Sequence, residues 1–569
     1  MTLKTHTHEN EIALDDTITR LQEKLLEAGF NIVEQSWLNP VVNIWSVRTY
    51  DQDCPLLFSS GKGISKKSAL TSALEEFVQR LSTNHFWADC YLGDEVSNSK
   101  FVHSSKEKWF KTNSDGSWPE GILSSQLCEF YNSDDELNSN NLIDNNSANS
   151  DRGICCIPYE CLGTGEKIYF PTNITDNIYA SNGMATANSI EEARIRALSE
   201  VLNNYIKFKI IAEGISLPDV PDKVLNHYPD MQSSIKEINA AGYQLLIQDA
   251  SLGGKYPVLA VTLINPKDQG LRTSFGAHPK FEIALQESLT GLLQGIDLNQ
   301  LGGFVEAGFD MDEIASPHNL EKHFKHSNGI LAWSFLKDRS EYEFTDWDKQ
   351  DSSDDYVITN TTEELNKLVD LIHSEGNGIF ISEHNEIGIY TCRIIVPGMS
   401  EIYPIDDLVW ENNNAGMGVR DRILKGDMTH HECEQLIQEL EDLNLGDEYL
   451  IAKLIGMPAD TNNIFEDLRV AELITLLALK TQDNERIQEG CEWLLHYQQI
   501  NTRRLKTYQC INTILQLDGM TNFGNALEKL YTRSILNDAL ALISGEDVFL
   551  LISDWEMHGL LIEAYKKIN

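Results

Sequence analysis

Residues 60–80 read SGKGISKKSALTSALEEFVQR, and a related stretch at residues 181–204 reads SNGMATANSIEEARIRALSEVLNN. In each stretch, glycine precedes a segment with a helical pattern. That segment contains a glutamate, and polar residues follow the glutamate at the third and fourth positions. Side chains at i, i+3 and i+4 share one face of a helix. The stretches therefore predict two copies of a glycine turn followed by a helix, with matching polar sets: Glu76, Gln79 and Arg80 in the first, and Glu200, Asn203 and Asn204 in the second.

The matching polar sets are typical of a site for phosphate and magnesium. Backbone N–H groups at a helix start favour an anion, and carboxylates spaced at i and i+3 can hold Mg²⁺. An arginine one position further can donate two hydrogen bonds to a phosphate. In both copies, however, the second carboxylate position holds an amide, Gln79 or Asn203. One copy alone would favour a capped surface helix with a charged outer face. Two copies with the same spacing favour a binding site with fewer metal ligands.

The chain is long and strongly acidic. Its 569 residues, of which 41% are hydrophobic, can form two or three domains. The 45 basic and 87 acidic residues give a formal net charge of −42. Binding to nucleic acid or to an anionic membrane surface is therefore not expected, whereas a basic protein partner is compatible. No apolar run could span a bilayer, and the N-terminus does not read as a signal peptide. We expect a cytoplasmic protein whose ten scattered cysteines stay reduced.

The pattern of elements predicts two domains. Strand-like and helix-like segments alternate up to about residue 425, which predicts an α+β domain over residues 1–425. Within it, residues 132–151 are rich in Asn, Ser and Asp and predict a surface insertion. Residues 426–569 carry helical patterns almost throughout. They predict an all-α domain of paired helices, similar to tetratricopeptide repeats although the repeat period is not regular.

Further motifs connect these stretches to a known family. Residues 276–294 read GAHPKFEIALQESLTGLLQ, and short segments elsewhere read SWLNP, KEKWF and CRIIVPGMS, at 36–40, 106–110 and 392–400. Together with the two glycine–helix stretches, this pattern resembles the YcaO superfamily along nearly the whole chain. The resemblance implies an α+β, YcaO-type ATP-binding domain with mixed or antiparallel sheets and packed helices, followed by an all-α, tetratricopeptide-like C-terminal domain.

The resemblance also implies an activity and partners. Proteins of this family bind ATP and magnesium, and they use the γ-phosphate to activate the oxygen of a peptide-backbone amide. The likeness is greatest to a bacterial branch that serves as an accessory factor when a RimO-type radical enzyme methylthiolates a small-subunit ribosomal protein. ATP and Mg²⁺ are thus the implied cofactors. A RimO-like enzyme or a ribosomal protein is the implied partner, and a homodimer is the implied assembly.

The site residues of the family can be placed on this sequence by the matching motifs. The positions expected to bind the cofactor and retained here are Lys62, Ser72, Glu76, Arg80, Asn182, Glu192 and Glu200. Two of these, Glu76 and Glu200, are the expected metal ligands. The other expected carboxylates are replaced by Gln79, Asn203 and Gly291, and two expected arginines are replaced by Asn204 and Glu287, while His278 and Gln294 are kept. The resemblance assigns no catalytic residue here.

These replacements leave three hypotheses open. Each charged hydrogen bond contributes about 1.5–3 kcal/mol, so the loss of several ligands should weaken the binding of Mg–ATP. The first hypothesis is an accessory factor with an eroded ATP site. The second is an active ATP-dependent enzyme that phosphorylates a peptide-backbone amide. The third is a non-catalytic dimeric scaffold that recruits partners through its helical domain.

Overall fold

The computed structural model describes residues 3–144, 146–298, 301–302, 304–347, 360–409, 414–426, 428–461, 463–498, 500–517, 522–545 and 555–568. The strands are β1 (Ile32–Val41), β2 (Ile44–Asp51), β3 (Phe58–Gly63), β4 (Lys108–Phe110), β5 (Ile154–Cys161), β6 (Lys167–Pro171), β7 (Met184–Thr186), β8 (Gln244–Asp249), β9 (Val258–Asn265), β10 (Gly270–Ala277), β11 (Phe380–His384) and β12 (Thr391–Ile395).

The helices of the first 409 residues are α1 (Leu3–Glu27), α2 (Lys66–Ser82), α3 (Ser125–Tyr131), α4 (Thr172–Tyr179), α5 (Ile190–Glu213), α6 (Asp222–Leu225), α7 (Pro229–Ala240), α8 (Phe281–Leu292), α9 (Met311–Ile314), α10 (Pro317–His326) and α11 (Thr361–Ser374). The later helices are α12 (Met417–Lys425), α13 (His430–Asp442), α14 (Ile451–Leu454), α15 (Val470–Thr481), α16 (Asn484–Tyr497), α17 (Thr502–Gln516), α18 (Gly524–Leu530), α19 (Arg533–Ile543) and α20 (Glu556–Lys566). Within the described ranges, no helix has both the length and the apolar character needed to cross a membrane.

The strands form three sheets in which each strand pair is antiparallel. The first sheet has the order β1-β2-β3, and the second has the order β10-β9-β8. The third has the order β4-β5-β11-β12-β7, with β6 paired to β5. Helices cover these sheets, so the predicted α+β fold with antiparallel sheets is confirmed.

Residues 60–80 form the end of β3 and most of α2. Ser65 caps α2, because its hydroxyl accepts the backbone N–H of Ser68 at 3.1 Å. Gly61 lies within the strand, where an added Cβ would be 2.0 Å from the carbonyl oxygen of Ala69 and 2.3 Å from the nitrogen of Ala73. The predicted glycine turn is therefore wrong at this position. Glycine is required here because α2 packs directly on the backbone of β3.

Residues 181–204 form a second strand–helix unit, which consists of a turn, β7 and the first part of α5. Gly183 has a φ of +73°, and an added Cβ there would lie 2.1 Å from the carbonyl oxygen of Ile394. This glycine does form a turn, but the turn leads into β7 before the helix begins. Ser189 caps α5 by accepting the backbone N–H of Glu192 at 3.2 Å.

The three helices that carry the motifs pack around β3 and β7. α2 contacts β2, β3 and β7, while α8 covers β9 and β10 and also contacts β3. α5 contacts β7, β10 and β12, and its buried side belongs to one of the main apolar clusters. This packing brings the ends of β3, α2, α5 and α8 into one region.

The C-terminal part is helical, as predicted. In the described residues after position 414, the named elements are all helices, and neighbouring helices such as α15, α16 and α17 pack on one another around a single apolar cluster. The last helix, α20, departs from this arrangement. Its residues Leu561 and Tyr565 belong to the apolar cluster of α1 and α2 instead. The likeness to tetratricopeptide repeats stays a prediction.

Residues 132–151, whose composition predicts a surface insertion, are partly exposed and partly buried. They contain two short 3-10 turns, Ser139–Leu142 and Ser150–Arg152, and they bury Leu137, Leu142 and Asp144. The carboxylate of Asp144 lies 2.6 Å from Nε2 of the equally buried His103. Asp144 can be buried because its carboxylate has a partner within the protein.

Candidate functional site

The predicted site residues lie where β3, α2, α5 and α8 meet. We call this region the motif site, and its defining residues are Lys62, Glu76, Glu200, Glu287 and Gly291. Gln294, just after α8, donates a hydrogen bond from Nε2 to the carbonyl oxygen of Ser60 at 3.2 Å. This bond ties the end of α8 to β3, so the third motif helix is positioned by a retained residue.

On α2, the expected metal ligand and the expected phosphate-binding arginine are paired with each other. The Oε1 atom of Glu76 lies 2.5 Å from Nη2 of Arg80. Its Oε2 atom accepts the backbone N–H of Ser60 at 3.2 Å, and Nη1 of Arg80 donates to the carbonyl oxygen of Phe58 at 3.3 Å. The two side chains therefore neutralise each other and hold α2 to β3.

Lys62 is held by the residue that replaces an expected arginine. Its Nζ lies 3.2 Å from Oε2 of Glu287 and donates to the Glu287 carbonyl oxygen at 3.4 Å. Burial alone would raise the pKa of Glu287, but the charges of Lys62 and Arg196 keep that pKa below its usual value. An added Cβ at Gly291 would lie 2.9 Å from Lys62 Nζ. The lysine amine thus lies beside the position from which an expected carboxylate side chain is missing.

The two replaced positions on α5 differ in whether their amide side chains have hydrogen-bond partners. Asn204 is buried and donates from Nδ2 to Oδ1 of Asn182 at 2.9 Å, and Asn182 donates in turn to the carbonyl oxygen of Ser400 at 2.9 Å. Asn182 is fully buried and uses both ends of its amide within the protein, so the structure does not bring it to the motif site. By contrast, the buried Oδ1 of Asn203 accepts no hydrogen bond from any described residue.

The charge of Glu76 on α2 acts on Glu200 of α5. Burial, together with the charge of the Glu76 carboxylate, raises the pKa of Glu200 to about 8. Lys207 lies seven residues further along α5 and is 7% exposed. Burial lowers the pKa of Lys207 to about 7, against the opposing effect of Glu200. A cation held between Glu76 and Glu200 would oppose both effects and favour the charged carboxylate.

Glu192 belongs to a charge cluster next to the motif site. Arg196 lies 2.6 Å from Glu192 through Nη2 and 2.6 Å from Glu75 through Nη1. Burial raises the pKa of Glu75, and Arg196 acts in the opposite direction. The charge of Arg196 also acts on Glu287, so the cluster adjoins the motif site. Glu192 itself is already paired.

Two other retained residues lie on the motif helices. Ser72 is half-buried on α2, one turn before Glu76. His278 precedes α8, and its Nδ1 accepts the backbone N–H of Lys280 at 2.9 Å. Burial lowers the pKa of His278 to about 4, so its ring is neutral at pH 7. His278 therefore stabilises the start of α8.

Sequence reasoning missed Lys207, Glu75 and Arg196. Lys207 follows Glu200 by two helical turns, so helical spacing could have placed it on the same face. The pair of Glu192 and Arg196 could have been found in the same way, from its i, i+4 spacing. No local pattern identifies Glu75 as the second partner, because 121 positions separate it from Arg196.

Two cations that the family pattern assigns to the cofactor, Lys62 and Arg80, face carboxylates at the motif site. The described part of the chain has no group of three or more His, Cys, Asp or Glu side chains able to hold a metal ion. Lys62 is paired with Glu287, and Arg80 is paired with Glu76. A triphosphate needs cations that are free to bind it, and each of these cations already faces a carboxylate.

Sequence comparisons identify the family. Residues 60–400 match the family described as YcaO cyclodehydratase, ATP- and Mg²⁺-binding, and residues 416–569 match its C-terminal domain. The chain is 40% identical over 587 residues to an uncharacterized protein of Haemophilus influenzae, with 100% of this chain and 99% of that protein covered. It is 39% identical over 576 residues to the Escherichia coli protein named ribosomal protein S12 methylthiotransferase accessory factor YcaO, with 98% and 97% covered.

The solved structures that resemble this chain have lower sequence identity to it than these two relatives. YcaO from Methanopyrus kandleri, bound with AMPPCP and Mg²⁺, is 16% identical with a TM-score of 0.42, covering 68% of this chain and 91% of that one. The E. coli microcin synthetase McbBCD complex is 18% identical with a TM-score of 0.38, covering 64% and 87%. The two family matches and the relatives that align over the full length decide the assignment: this chain belongs to the YcaO family, a family that binds ATP and Mg²⁺.

Proposed function

We propose that this protein is an accessory factor for the methylthiolation of a small-subunit ribosomal protein by a RimO-type radical enzyme, and that it acts without binding Mg–ATP at the motif site. The E. coli relative that is named as such an accessory factor supports the first half, since it aligns with 98% of the chain. The ion pair between Lys62 and Glu287 supports the second half and is the observation on which that half depends.

The physical reason is the balance of charge at the motif site. To bind a phosphate, Lys62 would have to leave Glu287, and the freed carboxylate would then repel the phosphate. Two expected arginines are also replaced, at positions 204 and 287. Each charge-assisted hydrogen bond contributes about 1.5–3 kcal/mol, so two lost contacts lower the affinity roughly a hundredfold or more.

Calorimetric titration with Mg–ATP tests the second half of the proposal. We expect no measurable binding up to millimolar concentrations. The M. kandleri protein, whose structure was solved with AMPPCP and Mg²⁺ bound, serves as the positive control. Micromolar binding to the present protein would contradict the loss of the ATP site and favour the active enzyme.

A restored variant tests whether the replaced positions are the cause. It combines Gln79→Glu, Asn203→Glu, Asn204→Arg, Glu287→Arg and Gly291→Glu, and we expect it to bind Mg–ATP measurably. The matched control, Glu287→Gln with Gly291→Ala, breaks the ion pair without adding a ligand and should not bind. The hardest change is Asn204→Arg, because it also breaks the hydrogen bond to Asn182. A folded restored variant that does not bind would mean that these positions do not correspond to the ligands of the family.

A cellular assay tests the accessory role itself. In a strain that lacks this protein, mass spectrometry should show a smaller methylthiolated fraction of ribosomal protein S12. Expression of the wild type and of a Lys62→Met variant should restore that fraction equally, because the proposal requires no phosphate contact from Lys62. An unchanged fraction in the deletion strain would refute the accessory role. Rescue by the wild type alone would favour the active enzyme.

A further inference from the structure

Two aromatic rings form a stacked pair on the protein surface, away from the motif site. Phe309 is 83% exposed and Trp333 is 51% exposed. Their ring centroids are 5.8 Å apart and their planes differ by 19°. Met311, two residues after Phe309, is also exposed. We call these three residues the aromatic patch. Phe, Trp and Met are residue types enriched at protein interfaces, and Trp is prominent among the residues that dominate binding energy.

The backbone holds the aromatic patch in place. The N–H of Gly308 donates to the Leu331 carbonyl oxygen at 2.8 Å, and the N–H of Trp333 donates to the Gly308 carbonyl oxygen at 3.0 Å. Beneath the patch, Ile314 and Ala332 belong to the buried cluster around α5. The two segments that carry the rings are therefore held side by side before any partner binds. Such preorganisation lowers the entropy lost on binding.

The segment that carries Phe309 and Met311 is acidic, whereas Lys337 and Arg339 follow Trp333. The sequence from 281 to 321 contains no lysine or arginine. Four carboxylates lie within seven residues of Phe309 on the same segment, and all four are exposed: Glu306, Asp310, Asp312 and Glu313. The carboxylate of Asp310 accepts the backbone N–H of Asp312 at 3.0 Å, so its position is fixed. An apolar centre with acidic neighbours is complementary to a segment that combines basic and apolar side chains.

We propose that the aromatic patch is the docking surface for a basic polypeptide segment, in which lysine or arginine side chains lie over the two rings and pair with the neighbouring carboxylates. A cation placed on the face of Trp or Phe is attracted by the π-electrons of the ring. A second copy of this chain is the poorer occupant. A two-fold contact through the patch would bring the same carboxylates against themselves, and the chain already carries a net charge of −42.

The identity of the basic segment rests on the proposed function. Ribosomal proteins carry basic surface because they bind RNA phosphates, so the ribosomal protein substrate has the required chemistry. The patch would then dock that substrate directly. The claim about the surface is separate from the claim about the cellular role, and the two can fail independently.

Binding measurements on the full chain test the surface. The probes are purified ribosomal protein S12 and a synthetic peptide of alternating lysine and leucine, each titrated at 50 mM and 200 mM salt, conditions we choose because charge-driven binding is salt-dependent. The patch variant is Phe309→Ser with Trp333→Ser. The matched control is Phe523→Ser with Leu530→Ser, which removes two other exposed apolar side chains. We expect the patch variant to bind at least tenfold more weakly and the control to bind like the wild type.

A charge variant distinguishes the contribution of the carboxylates to binding from that of the rings. Asp312→Lys with Glu313→Lys should weaken binding and reduce its dependence on salt, with no change in the melting temperature beyond that of the control. Binding of the patch variant at wild-type strength would overturn the proposal. The proposal would also be overturned if the wild type bound neither probe. A third contradicting result would be a wild-type dimer in sedimentation that persists in the control variant but is lost in the patch variant.

The methylthiolation assay keeps the two claims apart. If deletion of the protein lowers S12 methylthiolation but the patch variant restores it fully, the docking surface is refuted and the accessory role stands. If deletion has no effect while the patch variant loses binding to the lysine–leucine peptide, the docking surface stands and the accessory role fails.

Discussion

Lys62 and Glu287 illustrate how one replaced residue changes the chemistry of its neighbours. At position 287 the family pattern expects an arginine, and the glutamate found here both removes a cation and captures Lys62 at 3.2 Å. On our proposal, this charge reversal removes one phosphate-binding group and occupies a second. The loss of the carboxylate at position 291 is compatible with this arrangement, because the missing side chain would begin 2.9 Å from the Lys62 amine.

A buried charge pair, His103 with Asp144, makes stability depend on pH. Burial alone would lower the pKa of His103, but the Asp144 carboxylate raises it to about 9. The folded pKa lies above the unfolded value of about 6.5, so the stabilisation is complete below about pH 6.5 and is lost as the pH rises through 9. We expect His103→Gln to cost about 2–3 kcal/mol more at pH 6 than at pH 10. Denaturant unfolding at the two pH values measures this difference.

The control for this prediction is His430→Gln, because the side chain of His430 is 58% exposed. We expect it to change the unfolding free energy by less than about 0.5 kcal/mol at either pH. An equal loss for His103→Gln at pH 6 and pH 10 would show that the histidine contributes by packing rather than by charge.

At the level of elements, each of the first two motifs is a strand followed by a helix. In the first unit, the helix lies so close to the strand that only glycine fits at position 61, with backbone atoms 2.0 Å and 2.3 Å from a Cβ position. In the second unit, Gly183 forms a turn before the strand. The two similar sequences therefore use glycine for different reasons, close packing in one case and a positive φ in the other.

This difference predicts the effect of Gly61→Ala. The new methyl group would meet backbone atoms of α2, which cannot move aside as a flexible side chain can. Overpacking of this kind costs about 1–3 kcal/mol, so we expect a lower thermal midpoint. Gly559→Ala on α20 is the control, because nothing lies within 4 Å of its added Cβ. That substitution should be neutral or stabilising by up to about 1 kcal/mol. Equal stability of Gly61→Ala and wild type would mean that α2 is not packed on β3 as described.

On the scale of the whole molecule, the last helix joins the two ends of the chain. The Tyr565 ring packs edge-to-face against Trp87, with ring centroids 5.6 Å apart. Its hydroxyl donates to the Val102 carbonyl oxygen at 2.7 Å. The indole N–H of Trp87 donates to the Leu561 carbonyl oxygen at 3.1 Å. Trp87 follows α2 closely in the chain, so α20 supports the region that also positions Glu76 and Arg80.

This contact predicts that changes in α20 destabilise the first part of the chain. Tyr565→Ala removes a fully buried ring and should cost about 3–5 kcal/mol, whereas Tyr565→Phe removes one hydrogen bond and should cost about 1 kcal/mol. Leu560→Ala on the same helix is the control, because Leu560 is 39% exposed. Hydrogen exchange of residues 77–102 measures the effect. Unchanged protection of these amides in Tyr565→Ala would show that α20 is not required there.

Much of the fold could be predicted from local patterns. The polar residues at i, i+3 and i+4 identify α2 and α5. The change near residue 425, from alternating strand-like and helix-like segments to helical patterns, predicts the helical C-terminal part. The three motifs predict the family. The burial of part of residues 132–151 could not be predicted, because composition reports average polarity and cannot show that a buried carboxylate has a histidine partner.

The sequence by itself determined the family and the motif helices, and it predicts which family ligands are replaced. It did so because helical spacing and residue type act over a few neighbouring positions, which can be read along the chain. Only the tertiary structure decided that Lys62 is paired with Glu287, 225 positions away, and that Asn204 is bonded to Asn182. It also decided where α20 docks. Such partners depend on how strands and helices pack in three dimensions, and packing brings together residues that no local pattern connects.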